Sequence, residues 1–147
     1  MRWLLCICVL LALAAPAAAD VAVIVNKSVP LDTITSSHLL DLYTGDIRTW
    51  TNGEPVVLID LKPKTDAKNM FYDYLGKSSS RMKSIWMKNM LSGEGNPPQS
   101  FGSEADLLRK VASTPGAIGY LSLPAAKLAG SDIITLLVIP TEPEGSE

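Results

Sequence analysis

Cysteine, histidine and the common catalytic motifs are scarce in this sequence, and each absence excludes a class of function. The only two cysteines, Cys6 and Cys8, lie within the first nineteen residues. Without that segment the chain has no disulfide, no thiol nucleophile and no thiolate metal ligand. The single histidine, His38, has no positioned partner for acid–base catalysis. The sequence also lacks a P-loop, a nucleophile elbow and a dinucleotide fingerprint. We therefore predict a protein that is not an enzyme and carries no cofactor or metal.

The N-terminal segment has the pattern of a cleavable signal peptide. A basic start at Arg2 precedes an apolar stretch over 4–14, and three alanines at 17–19 stand before Asp20. These features predict a signal peptide over 1–19 and a periplasmic or secreted protein. The loss of Arg2 leaves a net charge of −3. A weakly acidic chain with scattered lysines does not favour nucleic acid as a partner.

The remaining chain alternates apolar runs with helical patterns and predicts one α/β domain over 20–139, with a mostly parallel or mixed sheet flanked by helices. Residues 140–147 are acidic and contain proline, which predicts a disordered tail. The predicted strands are Val21–Val25, Pro55–Asp60, a strand reaching Tyr120 after the turn at 114–117, and Ile133–Ile139. The predicted helices begin after Thr35, after a cap at Thr65 or Asp66, at 78–80 and after Ser103, and a short helix is predicted over Leu123–Leu128.

Three details of these elements carry further expectations. The helix that begins at 78–80 contains Met82, Met87 and Met90, which fill gaps in a core or form an adaptable binding surface. The helix after Ser103 is expected to bury Ala105, Leu108 and Val111 or Ala112. Gly119, inside a predicted strand, suggests the close approach of another backbone or of a ligand.

The loop after the second strand is the candidate binding site. A strand ends at Asp60 and a helix begins near Thr65, and the unpaired amides and dipole of a helix start attract anions. Lys64, Thr65, Asp66 and Lys68 are the predicted ligand-binding residues, although the Asp66 carboxylate competes for the same amides. The alternative is that Thr65 or Asp66 simply caps the helix and that the lysines are solvated.

Three sequence blocks resemble one family. The first is Leu42-Tyr-Thr-Gly-Asp-Ile-Arg-Thr-Trp50, at the end of the helix that Thr35 caps. The second is a strand, a polar loop and a helix with Phe71-Tyr-Asp-Tyr-Leu75. The third is Pro115-Gly-Ala-Ile-Gly-Tyr120. In this order they are similar to the phosphate-binding substrate-binding proteins of bacterial ABC transporters, whose fold is the type II periplasmic-binding-protein domain.

The resemblance implies a single lobe of a two-lobed fold. All three blocks correspond to the second lobe, and the sequence after Val21 leaves no room for the first. The arginine of the family's phosphate loop falls at Leu61, and its glycines are absent. Positive charge at this loop comes instead from Lys62, Lys64 and Lys68.

Two classes of function follow from these observations. The first is a periplasmic small-ligand-binding protein for an oxyanion such as phosphate, with an ABC permease as a partner. The second is a non-catalytic envelope module that reuses the lobe as a scaffold for protein interaction, with a homodimer or another chain supplying the missing lobe. The site chemistry, and not the fold, has to distinguish them.

Overall fold

The chain forms one mixed five-stranded sheet covered by helices in a computed structural model that describes residues 19–141. The strands lie in the order β3-β2-β4-β1-β5. β2 runs parallel to β3 and β4, whereas β1 is antiparallel to both β4 and β5. The predicted α/β class is confirmed. The elements in chain order are β1 (Val21–Asn26), α1 (Ser36–Tyr43), β2 (Val57–Leu61), α2 (Asp66–Leu75), α3 (Ser79–Leu91), β3 (Gln99–Phe101), α4 (Glu104–Ser113), β4 (Ala117–Ser122), α5 (Leu123–Ala126) and β5 (Ile133–Ile139).

The first strand lies inside the sheet, as its uninterrupted apolar run predicts. Every residue of β1 is buried, because β4 and β5 flank its two edges and helices cover the faces. β5 has the predicted bounds, but it lies at an edge of the sheet and only part of it is buried. A continuous apolar run therefore marks an interior strand in one case and an edge strand in the other.

Helices lie on both faces of the sheet. The ring of Tyr120 in β4 stacks on Phe71 of α2, with 4.0 Å between centroids and 10° between planes. At the preceding position, Gly119, an added Cβ would lie 3.2 Å from side-chain atoms of Leu107 and Val111 in α4. Successive residues of a strand point to opposite faces, so α2 and α4 cover opposite sides of β4. The close approach predicted at Gly119 is therefore made by helix side chains, and not by a backbone or a ligand.

The predicted helix caps are confirmed by their hydrogen bonds. The hydroxyl of Thr35 accepts from the amide of His38 at 3.2 Å, and that of Ser103 accepts from the amide of Asp106 at 3.1 Å. Each bond satisfies an amide of the first turn that has no partner within the helix. α5 is shorter than predicted and ends at Ala126, with a turn over the residues that follow.

The second half of the chain contains a strand that was not predicted and a helix whose buried face was predicted only in part. β3 was not predicted, because its three residues, two polar and one aromatic, are too few to show an alternating pattern. The strand forms through its parallel pairing with Ile59–Leu61. The buried face of α4 consists of Leu107 and Val111, with Leu108 half-buried and Ala105 exposed. Val111 is therefore buried as predicted, whereas Ala105 is not buried and Leu107 was not expected.

The residues before β1 and after β5 are hydrogen-bonded to each other. Both the amide and the hydroxyl of Thr141 donate to the Asp20 carboxylate, at 3.0 and 3.1 Å. The predicted signal peptide and most of the predicted acidic tail lie outside the described residues. Among residues 19–141, no helix combines the length and the apolar character that crossing a membrane requires.

Candidate functional site

The loop between β2 and α2 reaches the predicted helix start through a strained turn. Lys64 has a φ of 71°, a left-handed conformation that few residues other than glycine adopt. The hydroxyl of Thr65 accepts from the amide of Lys68 at 3.3 Å, so Thr65 and not Asp66 caps α2. Asp66 is the first helical residue and its side chain is exposed. The carboxylate that was expected to compete for the helix amides therefore points to solvent.

Lys68 is the one predicted ligand-binding residue that is buried. Only 7% of it is exposed, and its ammonium donates to the carbonyl of Leu61 at 2.9 Å. The same nitrogen lies 3.5 Å from a carboxylate oxygen of Asp60 and 5.2 Å from the centre of the Tyr72 ring. An ammonium has three donors, and this arrangement leaves at least one of them for a further acceptor.

Asp60 is a buried carboxylate surrounded by donors. It is 4% exposed, and one oxygen accepts from the Tyr120 hydroxyl and from the Leu61 amide at 2.8 Å. The other oxygen accepts from the Tyr72 hydroxyl. Burial, and then the negative charge of Asp60, raise the pKa of Tyr72 and of Tyr120 well above the usual value. Both tyrosines therefore keep their protons and act as donors to the carboxylate.

An open cleft of about 410 Å³ lies above this cluster. Its floor holds Asp60, Lys68 and Tyr72, at the carboxyl end of β2 where open α/β sheets commonly bind ligands. Three serines at its rim make no side-chain hydrogen bond within residues 19–141, and the opposite wall is formed by apolar side chains. The serines are Ser79, Ser80 and Ser100, and the apolar wall includes Met82, Trp86, Met87, Met90, Pro97 and Pro98.

A second cleft of about 340 Å³ lies on the other side of Trp86. Its cation, Arg48, donates to the Gly45 carbonyl at 3.0 Å and lies 3.5 Å from the Glu94 carboxylate. The Arg48 side chain is 54% exposed, so the cation of this cleft remains in contact with water, whereas Lys68 is buried. Within the described part of the chain, no three histidine, cysteine, aspartate or glutamate side chains are grouped to hold a metal ion.

The structure separates the four predicted site residues. Lys68 lies on the floor of the cleft, whereas Lys64, Thr65 and Asp66 are outside its lining and follow the loop to the surface. Asp60 and Tyr72 belong to the floor but were not predicted as site residues. Tyr72 is four residues after Lys68, and that helical spacing could have placed the two side chains together.

Solved structures with this fold share about half of their length with the chain. A protein from Clostridium perfringens assigned as a phosphate ABC transporter substrate-binding protein, solved with bound phosphate, is 18% identical, with a TM-score of 0.64 over 80% of this chain and 44% of that one. An ABC-type phosphate transport receptor from Vibrio cholerae is 15% identical, with a TM-score of 0.62 over 80% and 45%. PstS from Borrelia burgdorferi is 16% identical, with a TM-score of 0.62 over 80% and 46%. No protein-family model matches the sequence.

The resemblance predicted from three sequence blocks is thus confirmed at the level of fold. The chain spans less than half of each of these phosphate-transport proteins while most of its own length is matched. It is similar to one lobe of a two-lobed substrate-binding protein. At these identities the similarity extends to the fold, and the ligand has to be argued from the site.

Proposed function

We propose that the protein binds a small oxyanion such as phosphate outside the cytoplasm, in the cleft at the carboxyl end of β2. The observation that carries this proposal is the buried Lys68 ammonium on the floor of an open cleft, with a donor to spare. A cation that is removed from bulk water attracts an anion more strongly than an exposed lysine does. The signal peptide predicted from the sequence supports binding in the periplasm or outside the cell.

The start of α2 adds donors on the same side of the molecule. The amides of Asp66 and Ala67 have no acceptor within residues 19–141, and the positive end of the helix dipole lies at this turn. Lys64 contributes further positive charge from the loop. An oxyanion that extends from the Lys68 ammonium in the cleft to the start of α2, which lies outside the cleft lining, would meet these two amides as well. These are the donor types that oxyanion sites use.

The Asp60 carboxylate opposes an anion, but its charge is already compensated. Tyr72, Tyr120 and the Leu61 amide donate to its oxygens, and the Lys68 ammonium lies nearby. The net charge of the buried pair is zero, and the exposed Lys83 at the rim adds one positive charge. The balance of charge at the cleft therefore favours a ligand that carries a negative charge.

Calorimetric titration of residues 20–147 with phosphate, and separately with sulfate, tests the proposal. We expect saturable binding that Thr65→Ala weakens. The paired variant Asp60→Asn/Lys68→Met should abolish binding, and because it removes both charges of the pair, it leaves no isolated charge in the interior. Lys127→Ala, an exposed lysine outside the cleft, is the matched control and should bind as the unmodified chain does. The absence of heat with either anion at millimolar concentration would refute the oxyanion proposal.

A protein-interaction module is the second candidate, because apolar side chains of α3 are exposed. Met87, Met90 and Leu91 are 47%, 45% and 83% exposed, so the methionines of this helix are divided between the core at Met82 and the surface. An ABC permease, another envelope protein or a second copy of the chain are the partners that this candidate would involve. Sedimentation of the mature protein at increasing concentration tests the homodimer, and a strict monomer would exclude it.

A further inference from the structure

The outer face of α3 has the residue spacing of a helix–helix contact. Ser80, Ser84, Met87 and Leu91 follow one another at intervals of four, three and four residues, and all four are exposed. This interval places them in one stripe along the helix, as at the a and d positions of a coiled coil. The side of α3 that faces the domain is a different one, with Met82, Trp86 and Asn89 buried. The stripe is therefore not needed for the core of the described domain.

Basic residues line both sides of this stripe. Arg81 and Lys88 occupy the positions that correspond to e, and Lys83 occupies one that corresponds to g, and all three are exposed. α3 contains no acidic residue. The stripe is an open surface of one helix, with Lys83 and Lys88 beside Met87 and Leu91. Residues at e and g positions select a partner helix by its charge.

We propose that the outer face of α3 docks an amphipathic helix of a partner protein with apolar residues along its contact stripe and acidic residues beside them. Charge complementarity selects this occupant. A second copy of α3 would bring Arg81, Lys83 and Lys88 against the same basic residues, and like charges at these positions disfavour pairing. The two serines let a partner helix approach closely, and Leu91, which is 83% exposed, gains the most from being covered.

A protein helix fits this face better than a membrane surface does. Interfacial helices bury a broad apolar face rich in large side chains, whereas half of this stripe consists of serine. The docking face also adjoins the ligand cleft, because Ser80, Lys83 and Met87 line both. The proposal rests on α3 alone and does not require that the cleft binds an anion.

A pair of designed peptides tests the proposal with the mature chain. Both are three-heptad helices with leucine at a and d, one with glutamate and the other with lysine at every e and g position. We expect the fluorescence anisotropy of the labelled glutamate peptide to show saturable binding that weakens as salt is added, and the lysine peptide to bind at least tenfold more weakly. Arg81→Glu/Lys88→Glu should reverse this preference. Met87→Ser/Leu91→Ser should abolish binding of both peptides.

Control substitutions keep this test decisive. All four substituted side chains are exposed, so the variants should retain the circular dichroism spectrum and melting temperature of the unmodified chain. Lys127→Glu also replaces a positive side chain by a negative one, but on another surface, and should leave peptide binding unchanged. Equal affinity for the two peptides, no binding of either, or no effect of the charge reversal would overturn the proposal. Binding to anionic phosphatidylglycerol vesicles without binding to the glutamate peptide would overturn it in favour of a membrane surface.

Discussion

The buried pair of Asp60 and Lys68 should act as one energetic unit, and this is the most informative perturbation of the fold. The two side chains are 4% and 7% exposed, with 3.5 Å between the ammonium and the nearer carboxylate oxygen. Lys68→Met removes the counter-charge and the hydrogen bond to the Leu61 carbonyl. Removing one partner of a buried ion pair costs about 3–5 kcal/mol. Because Asp60 keeps three donors, we expect a loss near the lower end, about 3 kcal/mol.

The paired variant separates the ion pair from its surroundings. Asp60→Asn should cost a similar amount, since it leaves the ammonium buried without a counter-charge. Asp60→Asn/Lys68→Met removes both charges, so its loss should be smaller than the sum of the two single losses by about 1–3 kcal/mol. Urea unfolding of all four proteins at neutral pH gives the coupling free energy. Lys64→Met, at an exposed lysine of the same loop, should change stability by no more than about 0.5 kcal/mol.

Additivity would refute this reasoning. If the losses of the single variants sum to that of the paired variant within about 0.5 kcal/mol, the two groups do not interact appreciably. The position of Lys68 would then depend on its contacts with Leu61 and Tyr72, and not on the charge of Asp60.

Further predictions concern alkaline pH and two turns. Tyr72 and Tyr120, with pKa values raised by burial and by Asp60, stay protonated while unfolded tyrosines ionise, so stability should be complete below pH of about 10 and should fall above it. Each tyrosine contributes up to about 1.4 kcal/mol per pH unit to the fall in the free energy of unfolding. Urea unfolding between pH of about 10 and 11 should therefore show a shallower fall for Tyr120→Phe than for the unmodified chain. An unchanged fall would contradict the prediction. Gly76→Ala, at a φ of 73° with open space around the residue, should lower the free energy of unfolding by about 1 kcal/mol. Gly116→Ala, at a φ of 78°, should lower the free energy of unfolding by at least twice as much, because the added Cβ would clash with the Pro55 carbonyl oxygen. Equal shifts in melting temperature for the two glycine variants would contradict this prediction.

Local signals in the sequence predict much of this fold. A hydroxyl before an apolar helical pattern located the starts of α1 and α4, because a cap acts within one turn of the chain. β3 could not be found in this way, since its three residues form a strand only through pairing with a segment forty residues earlier. Leu107 and Val111 are four residues apart, so helical spacing allows the observed face of α4 as well as the predicted one, and contact with Gly119 of β4 selects it.

The candidate site was predicted less completely than the fold. The loop after β2 and the Thr65 cap follow from the order of the residues, and the structure contains both. Burial of Lys68 does not, because it depends on Asp60 and on the Leu61 carbonyl across the loop. Tyr120 joins the same cluster from a strand sixty residues away. The sequence identified the loop and Lys68, but not Asp60, Tyr72 and Tyr120, which the fold brings next to Lys68.

The binding of an oxyanion in the cleft, between the Lys68 ammonium and the start of α2, is the central claim, and amide NMR of the isotopically labelled mature chain titrated with phosphate tests it most directly. We expect saturable shifts concentrated at the amides of Asp66, Ala67 and Lys68, and these shifts should disappear in the Asp60→Asn/Lys68→Met variant. Linear, unsaturated shifts spread over exposed lysines such as Lys127, with no response at the start of α2, would contradict it.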